Sequence, residues 1–266
     1  MSFRTWYLGT VQILVAEQVR PPEDGFGLQQ AVLEEVAAGK RGPTTLLWSS
    51  SRYVGATRPE TRLRGFPEAV RLVEEDGFPV LIRNSGGGAV AANEGSISFS
   101  ITFPVEDMRH GLYERYTEGA EIVVEAIKKV GVEAEPGEVE GEFCPGAYSV
   151  RVGGSGGFKV AGLAQRVTRR AARMDALVLV AQTAELGHVL ARFYGALGLP
   201  FRPGSVADLP SVGVPAVMEA LSGAVAERYG EAERVGIGEK TLERAQALRE
   251  SWRTQPAPSG PVASNP

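Results

Sequence analysis

The stretch Gly141-Glu-Phe-Cys144-Pro-Gly-Ala-Tyr148-Ser-Val-Arg-Val152, the turn Gly153 to Gly157, and Phe158-Lys159-Val-Ala-Gly162-Leu-Ala-Gln165-Arg166 decide how the rest of the chain is read. Tyr148, Val150 and Val152 alternate with Ser149 and Arg151, and Phe158 and Val160 resume the alternation around Lys159. Two alternating runs joined by a glycine-rich turn form a β-hairpin. Such a hairpin brings a thiol and an ammonium toward each other. A nearby cation stabilises thiolate over thiol and makes sulfur nucleophilic near neutral pH. Cys144 is the only cysteine of the chain. A single cysteine is most often a small buried hydrophobe, and a hairpin lysine is usually a solvated strand residue. The pair therefore carries a chemical reading only with support from elsewhere.

That support lies upstream, in Arg83-Asn84-Ser85-Gly86-Gly87-Gly88-Ala89-Val90. Three successive glycines permit unusual backbone dihedrals and close approach of a ligand to main chain. The string lacks the Gly-Lys-Ser/Thr ending of a P-loop. Without Arg83 and the downstream segment, a tight turn between strands is the favoured reading.

The segment Lys159 to Arg166 resembles the lysine-containing signature of the lipoate–protein ligase and octanoyltransferase superfamily. Arg83 to Val90 resembles that superfamily's arginine-plus-glycine-rich acyl-binding loop, in the family's order and at about its separation. Cys144-Pro-Gly-Ala-Tyr148 is similar to the cysteine-dependent branch, above all the amidotransferases that move octanoyl from the glycine-cleavage H protein to other lipoyl domains. ATP-dependent ligases generally lack that cysteine. The resemblance covers roughly residues 5 to 230. It departs from the family where Arg166 is followed by Val167 instead of a second basic residue, and where the hairpin turn is longer and richer in glycine.

The resemblance implies a single catalytic domain over residues 1–254 with a biotin/lipoate ligase-like fold. It implies Cys144 as nucleophile and Lys159 as the cation and proton-transfer group. Arg83, Asn84, Ser85, Gly86, Gly87, Gly88, Ala161 and Gly162 would bind the acyl substrate, and N–H groups near Ala161, Gly162 or the glycine loop would hold the oxyanion. No cofactor is expected; ATP and Mg enter only in the ligase alternative, where Cys144 is a spectator. The implied partners are lipoyl-domain proteins, the glycine-cleavage H protein and 2-oxoacid dehydrogenase E2 domains, with acyl-carrier protein as the other possible donor. A non-catalytic module that sequesters lipoylated domains is the alternative from a different class.

The mixture of strand and helix signals with hairpins predicts an α+β class, and the resemblance implies its arrangement: a mixed, largely antiparallel sheet flanked by helices. At 266 residues and 43% apolar content the chain can bury a substantial core. A formal charge of −4 leaves no electrostatic footprint for nucleic acid. His110 and His188 are the only histidines, so no metal cluster is expected. One cysteine excludes an internal disulfide and fits a reducing cytoplasm. Met1 to Arg20 holds only a brief apolar run, neither signal peptide nor membrane span. A soluble cytoplasmic protein is therefore expected.

Strands are predicted at Trp6 to Val15, Thr45 to Trp48, Val80 to Ile82, Ser96 to Phe103 and Ala176 to Ala181. The clearest is Ser96 to Phe103, where Ile97, Phe99, Ile101 and Phe103 alternate with serines and Thr102. Helices are predicted over Phe26 to Ala38, Phe66 to Glu75, Tyr116 to Val130, Leu186 to Leu197, Ala216 to Arg228 and Glu239 to Trp252. Tyr53 to Arg64 reads as a basic, solvated run. Arg166, Arg169, Arg170 and Arg173 are read as a loop and as the candidate rim that docks acidic partner domains. The tail Gln255 to Pro266 is predicted to be disordered.

Overall fold

The protein is described by a computed structural model covering residues 10–108 and 110–254. In chain order its elements are β1 (Val11–Val19), α1 (Pro22–Ala37), β2 (Thr44–Ser50), β3 (Tyr53–Thr57), α2 (Phe66–Glu75), β4 (Val80–Arg83), β5 (Val90–Ala92), β6 (Ser96–Pro104), α3 (Leu112–Lys129), β7 (Glu135–Pro136), β8 (Val150–Val152), β9 (Phe158–Val167), β10 (Ala171–Leu179), α4 (Thr183–Leu197), α5 (Val214–Tyr229), β11 (Ala232–Arg234), α6 (Glu239–Ala247) and α7 (Arg249–Trp252). Eight strands form one sheet in the order β11-β1-β2-β6-β10-β9-β8-β7, and β4-β3-β5 form a smaller one. From β2 to β7 every neighbour is antiparallel. Between strands, parallel pairing among the described residues occurs in β11-β1-β2 and in β3-β4. The fold is the α+β arrangement expected from the alternation of strand and helix signals.

The alternation of β6 organises the layers. Ile97, Phe99 and Ile101 pack with Ile122, Val123 and Ile127 of α3 and with Leu221 and Val225 of α5. A strand sends successive side chains to opposite faces, so Ser96, Ser98, Ser100 and Thr102 face the other way. That second face is buried too, under a core built from α1, the small sheet, α2 and α4. Tyr53 Oη stands 3.5 Å from Ser98 Oγ across this layer. Serines here occupy little volume, which leaves room for a cleft over the middle of the sheet.

Element ends differ from the sequence reading where end chemistry extends them. α1 begins at Pro22, whose fixed φ suits a first turn, and Glu23 and Asp24 stand in that turn. α3 begins after Gly111, at φ 75°. The helix read from Glu239 to Trp252 breaks into α6 and α7 at Leu248.

Two corrections bear on function. The run Tyr53 to Arg64 is not solvated throughout: all five residues of β3 are buried, and Glu60 is buried beside them. β10 begins at Ala171, five residues before the strand read from Ala176, because Ala171 to Asp175 pair with Pro104 to Ser100 of β6. Arg173 therefore sits in a strand and not in a loop. Residues ahead of Thr10, which take in the start of the first predicted strand, and the tail from Gln255 lie outside the described residues. No described helix is long and apolar enough to cross a membrane.

Candidate active site

Two loops from different sheets meet at Cys144. The glycine loop joins β4 to β5 in the small sheet, and the cysteine turn precedes β8 in the large one. Cys144 takes a left-handed conformation, φ 42°, a region that side-chain-bearing residues enter rarely. Its Sγ, half-buried, accepts a hydrogen bond from Gly88 N–H at 3.0 Å and faces Arg83 Nη2 at 3.6 Å. Arg83 is held by donating from Nη2 to Gly88 O at 2.5 Å and from Nη1 to Ser85 Oγ at 3.2 Å. Gly87 has φ 99°, and a Cβ there would lie 2.5 Å from Sγ. The requirement at this middle glycine is thus steric: only a residue without a side chain lets the loop close on sulfur.

Lys159 is placed differently from the sequence expectation. Its ammonium is fully buried and donates to Glu142 Oε1 at 3.3 Å, Phe143 O at 2.9 Å and Cys144 O at 3.1 Å. Nζ also stands 4.5 Å from the centre of the Phe143 ring. An ammonium has three donors, and all three are engaged by the cysteine turn. Burial pushes the Lys159 pKa down, while Glu142 and Cys144 draw it back up. The hydrogen-bond partners of sulfur are Gly88 and Arg83, not Lys159.

Glu142 completes the turn. Its Oε1 accepts from Ser149 Oγ at 2.7 Å and Gly146 N–H at 3.2 Å, and Oε2 from Val139 N–H at 3.0 Å. On the other side Glu60 anchors the glycine loop, accepting from Ala89 N–H at 2.7 Å and from Thr57 N–H and Oγ1 at 2.7 Å each.

A cleft opens beside Sγ. Phe26, Tyr53, Val90, Leu177 and Trp252 give it an apolar wall, and Arg83, Asn84, Ser85, Arg173 and Asp175 a polar one. Gly162 lines it; Ala161 does not, because the strand turns Ala161 into the core on the opposite face. Arg173 is only 3% exposed. It donates to Asp175 at 2.6 and 3.1 Å and to Asn84 Oδ1 at 3.4 Å. It is a wall of the cleft and cannot belong to a docking rim. Arg166, Arg169 and Arg170 are exposed around the β9–β10 turn, as are Arg58, Arg62 and Arg64 elsewhere. Among the described residues no group of three or more His, Cys, Asp or Glu is arranged to hold a metal.

Residues 21–221 match the lipoyl protein ligase A/B catalytic domain. The chain belongs to this family. Within the lipoyl ligase family it is 29% identical over 175 residues to the octanoyl-[GcvH]:protein N-octanoyltransferase of Bacillus velezensis, covering 65% of this chain and 60% of the relative. The protein of the same name from Geobacillus kaustophilus is 29% identical over 203 residues, 75% of this chain and 69% of its own. The lipoyl-[GcvH]:protein N-lipoyltransferase of Listeria monocytogenes is 28% identical over 146 residues, 53% of this chain and 50% of its own. The chain thus spans 50 to 69% of the length of these relatives. A lipoate-protein ligase A bound with ATP superposes with TM-score 0.71 at 20% identity, covering 91% of this chain and 95% of that one. The bipartite lipoate protein ligase of Thermoplasma acidophilum, described with its E2 lipoyl domain, gives 0.70 at 20% identity, covering 91% and 93%. These two likenesses establish the fold.

The lipoyl ligase signatures in the sequence thus fall where the site forms. Glu60, Glu142 and Tyr194, whose hydroxyl bonds Cys144 N–H and Ala89 O, were not legible. Glu60 is hidden in an arginine-rich run, Glu142 in an acidic connector, and Tyr194 in an apolar helix. The one available signal was that Glu142 is two residues before the lone cysteine.

Proposed function

We propose that this protein is an acyltransferase that carries an octanoyl or lipoyl group as a thioester on Cys144 and passes it to the lysine of a lipoyl domain. The observation that carries the reading is the sulfur itself, held at the mouth of an apolar-walled cleft by Gly88 N–H and facing Arg83. The names of the relatives, transferases acting on GcvH, support octanoylated glycine-cleavage H protein as donor.

In the first half-reaction sulfur attacks the amide carbonyl on the donor lysine. A C–S bond forms, the C–N bond breaks, and the thiol proton leaves with the released amine. In the second, an acceptor lysine amine attacks the thioester: a C–N bond forms, the C–S bond breaks, and the amine proton returns to the Cys144 sulfur. Covalent catalysis splits one hard exchange into two easier steps. Gly88 N–H and Arg83 Nη2, already aimed at sulfur, are the donors nearest to where the oxyanion develops. Lys159 holds the turn and adds positive charge behind it. No step draws on ATP.

The test offers octanoylated H protein and octanoylated acyl-carrier protein separately, without ATP, and follows intact mass and transfer to a lipoyl domain. An octanoyl adduct on Cys144 is expected, most readily from H protein, and Cys144→Ala should abolish both adduct and transfer. Undiminished turnover by Cys144→Ala with free acid and ATP would establish a ligase instead. Binding of acylated domains with no adduct at all would favour the sequestering module.

A further inference from the structure

Tyr194 lies on α4, fifty residues from the nucleophile in sequence, and is 4% exposed. Its hydroxyl accepts a hydrogen bond from Cys144 N–H at 2.9 Å and donates one to Ala89 O at 2.9 Å. The same residue, Ala89, gives its N–H to Glu60. The glycine loop is therefore gripped at one residue from two sides, and one grip continues into the cysteine turn. Phe193 and Phe201 stand against the Tyr194 ring with centroids 6.4 and 5.6 Å away. Burial pushes the phenol pKa far up, so the hydroxyl keeps its proton and can donate and accept at once.

We infer that Tyr194 is a positioning residue whose hydroxyl ties the cysteine turn to the glycine loop, so that Gly88 N–H and Arg83 face the sulfur. It also occupies Cys144 N–H. In many acyl-transfer sites the nucleophile's own amide helps to hold the oxyanion; here that amide is already engaged, and the glycine loop is left with the task. The left-handed turn at Cys144 needs such an outside partner, because nothing in its own backbone favours that conformation. The inference about acyl transfer rests on the proposed function. The inference about sulfur does not.

Tyr194→Phe keeps the ring and removes both hydrogen bonds. Two measurements on the full chain test it: the pH profile of Cys144 alkylation by iodoacetamide, and single-turnover acylation by octanoyl-N-acetylcysteamine. With the loop released from sulfur, the alkylation midpoint should rise by roughly half a unit to one unit. Acylation at saturating donor should slow about tenfold or more, with half-saturation changed less than about twofold. Phe201→Leu trims packing on the same ring without touching the hydroxyl, and should leave the alkylation midpoint at the wild-type value even if the melting temperature falls. An unchanged midpoint and rate in Tyr194→Phe would overturn the inference. So would an equal shift in Phe201→Leu, which would assign the effect to packing. If wild type takes no octanoyl group from any donor, the proposed function falls while the alkylation profile still decides the role of Tyr194.

Discussion

At Lys159 the hairpin delivers an ammonium, and the fold then turns it inward onto three acceptors of the cysteine turn. An isolated buried charge is costly, and Glu142 compensates it at 3.3 Å. Removing one member of such a pair strands the other, a loss of about 3–5 kcal/mol. Lys159→Met should accordingly lower stability in urea by that order and slow acylation of Cys144. The double variant Glu142→Gln, Lys159→Met removes both charges and should recover most of the stability while acylation stays slow. Wild-type stability in the single variant would mean that the pair does not hold the turn. The sequence made Cys144 and Lys159 legible as a pair, since hairpin alternation and signature agree. It could not say whether the amine meets sulfur or the carbonyls behind it, because that depends on where Glu142, Gly88 and Arg83 arrive from three other segments.

Elements were legible where the pattern is local. β6 declared itself by alternation, and α2 and α3 by periodicity. β3 did not, because its five buried residues abut a charged run. The first half of β10 was obscured by Arg173 and by Arg169 and Arg170 just ahead of it. Pairings such as β3 with β4 and β5 join segments whose partners nothing local specifies. Helix packing also hides a titrating group. Glu118 on α3 is 6% exposed. Burial raises its pKa from 4.5 to about 7, against the pull of Tyr229 and Arg228 on α5. Between those values the folded state holds a proton that the unfolded state has lost. This group's contribution is thus complete below pH 4.5 and is lost as pH rises through about 7. At about 1.4 kcal/mol per unit the loss is on the order of 3 kcal/mol. Glu118→Gln should therefore be more stable than wild type near pH 8, with the difference shrinking toward pH ~4.5 in paired urea titrations. A difference that does not vary with pH would show that Glu118 stays ionised in the fold.

Across the whole molecule the arginines read together in the sequence separate into two populations. Arg173 is a cleft wall tied to Asp175 and Asn84, whereas Arg166, Arg169 and Arg170 are exposed. If the exposed set steers acidic lipoyl domains, its effect is on encounter and is screened over a Debye length of about 8–10 Å. Reversing Arg166, Arg169 and Arg170 to Glu should then lower kcat/KM for protein donors, with the single-turnover step at saturation close to wild type. A small octanoyl thioester, which presents no acidic face, should acylate Cys144 at nearly the wild-type rate in the same variant. Rising salt should erode kcat/KM of wild type for protein donors more than that of the reversed variant. Arg173→Met should behave in the opposite way, damaging small and protein donors alike, because it strips the cleft wall and leaves Asp175 without its cation. Equal loss toward both donor types in the triple reversal would place these arginines in support of the hairpin, and the partner-facing surface would have to lie elsewhere, for instance around the exposed Arg58, Arg62 and Arg64.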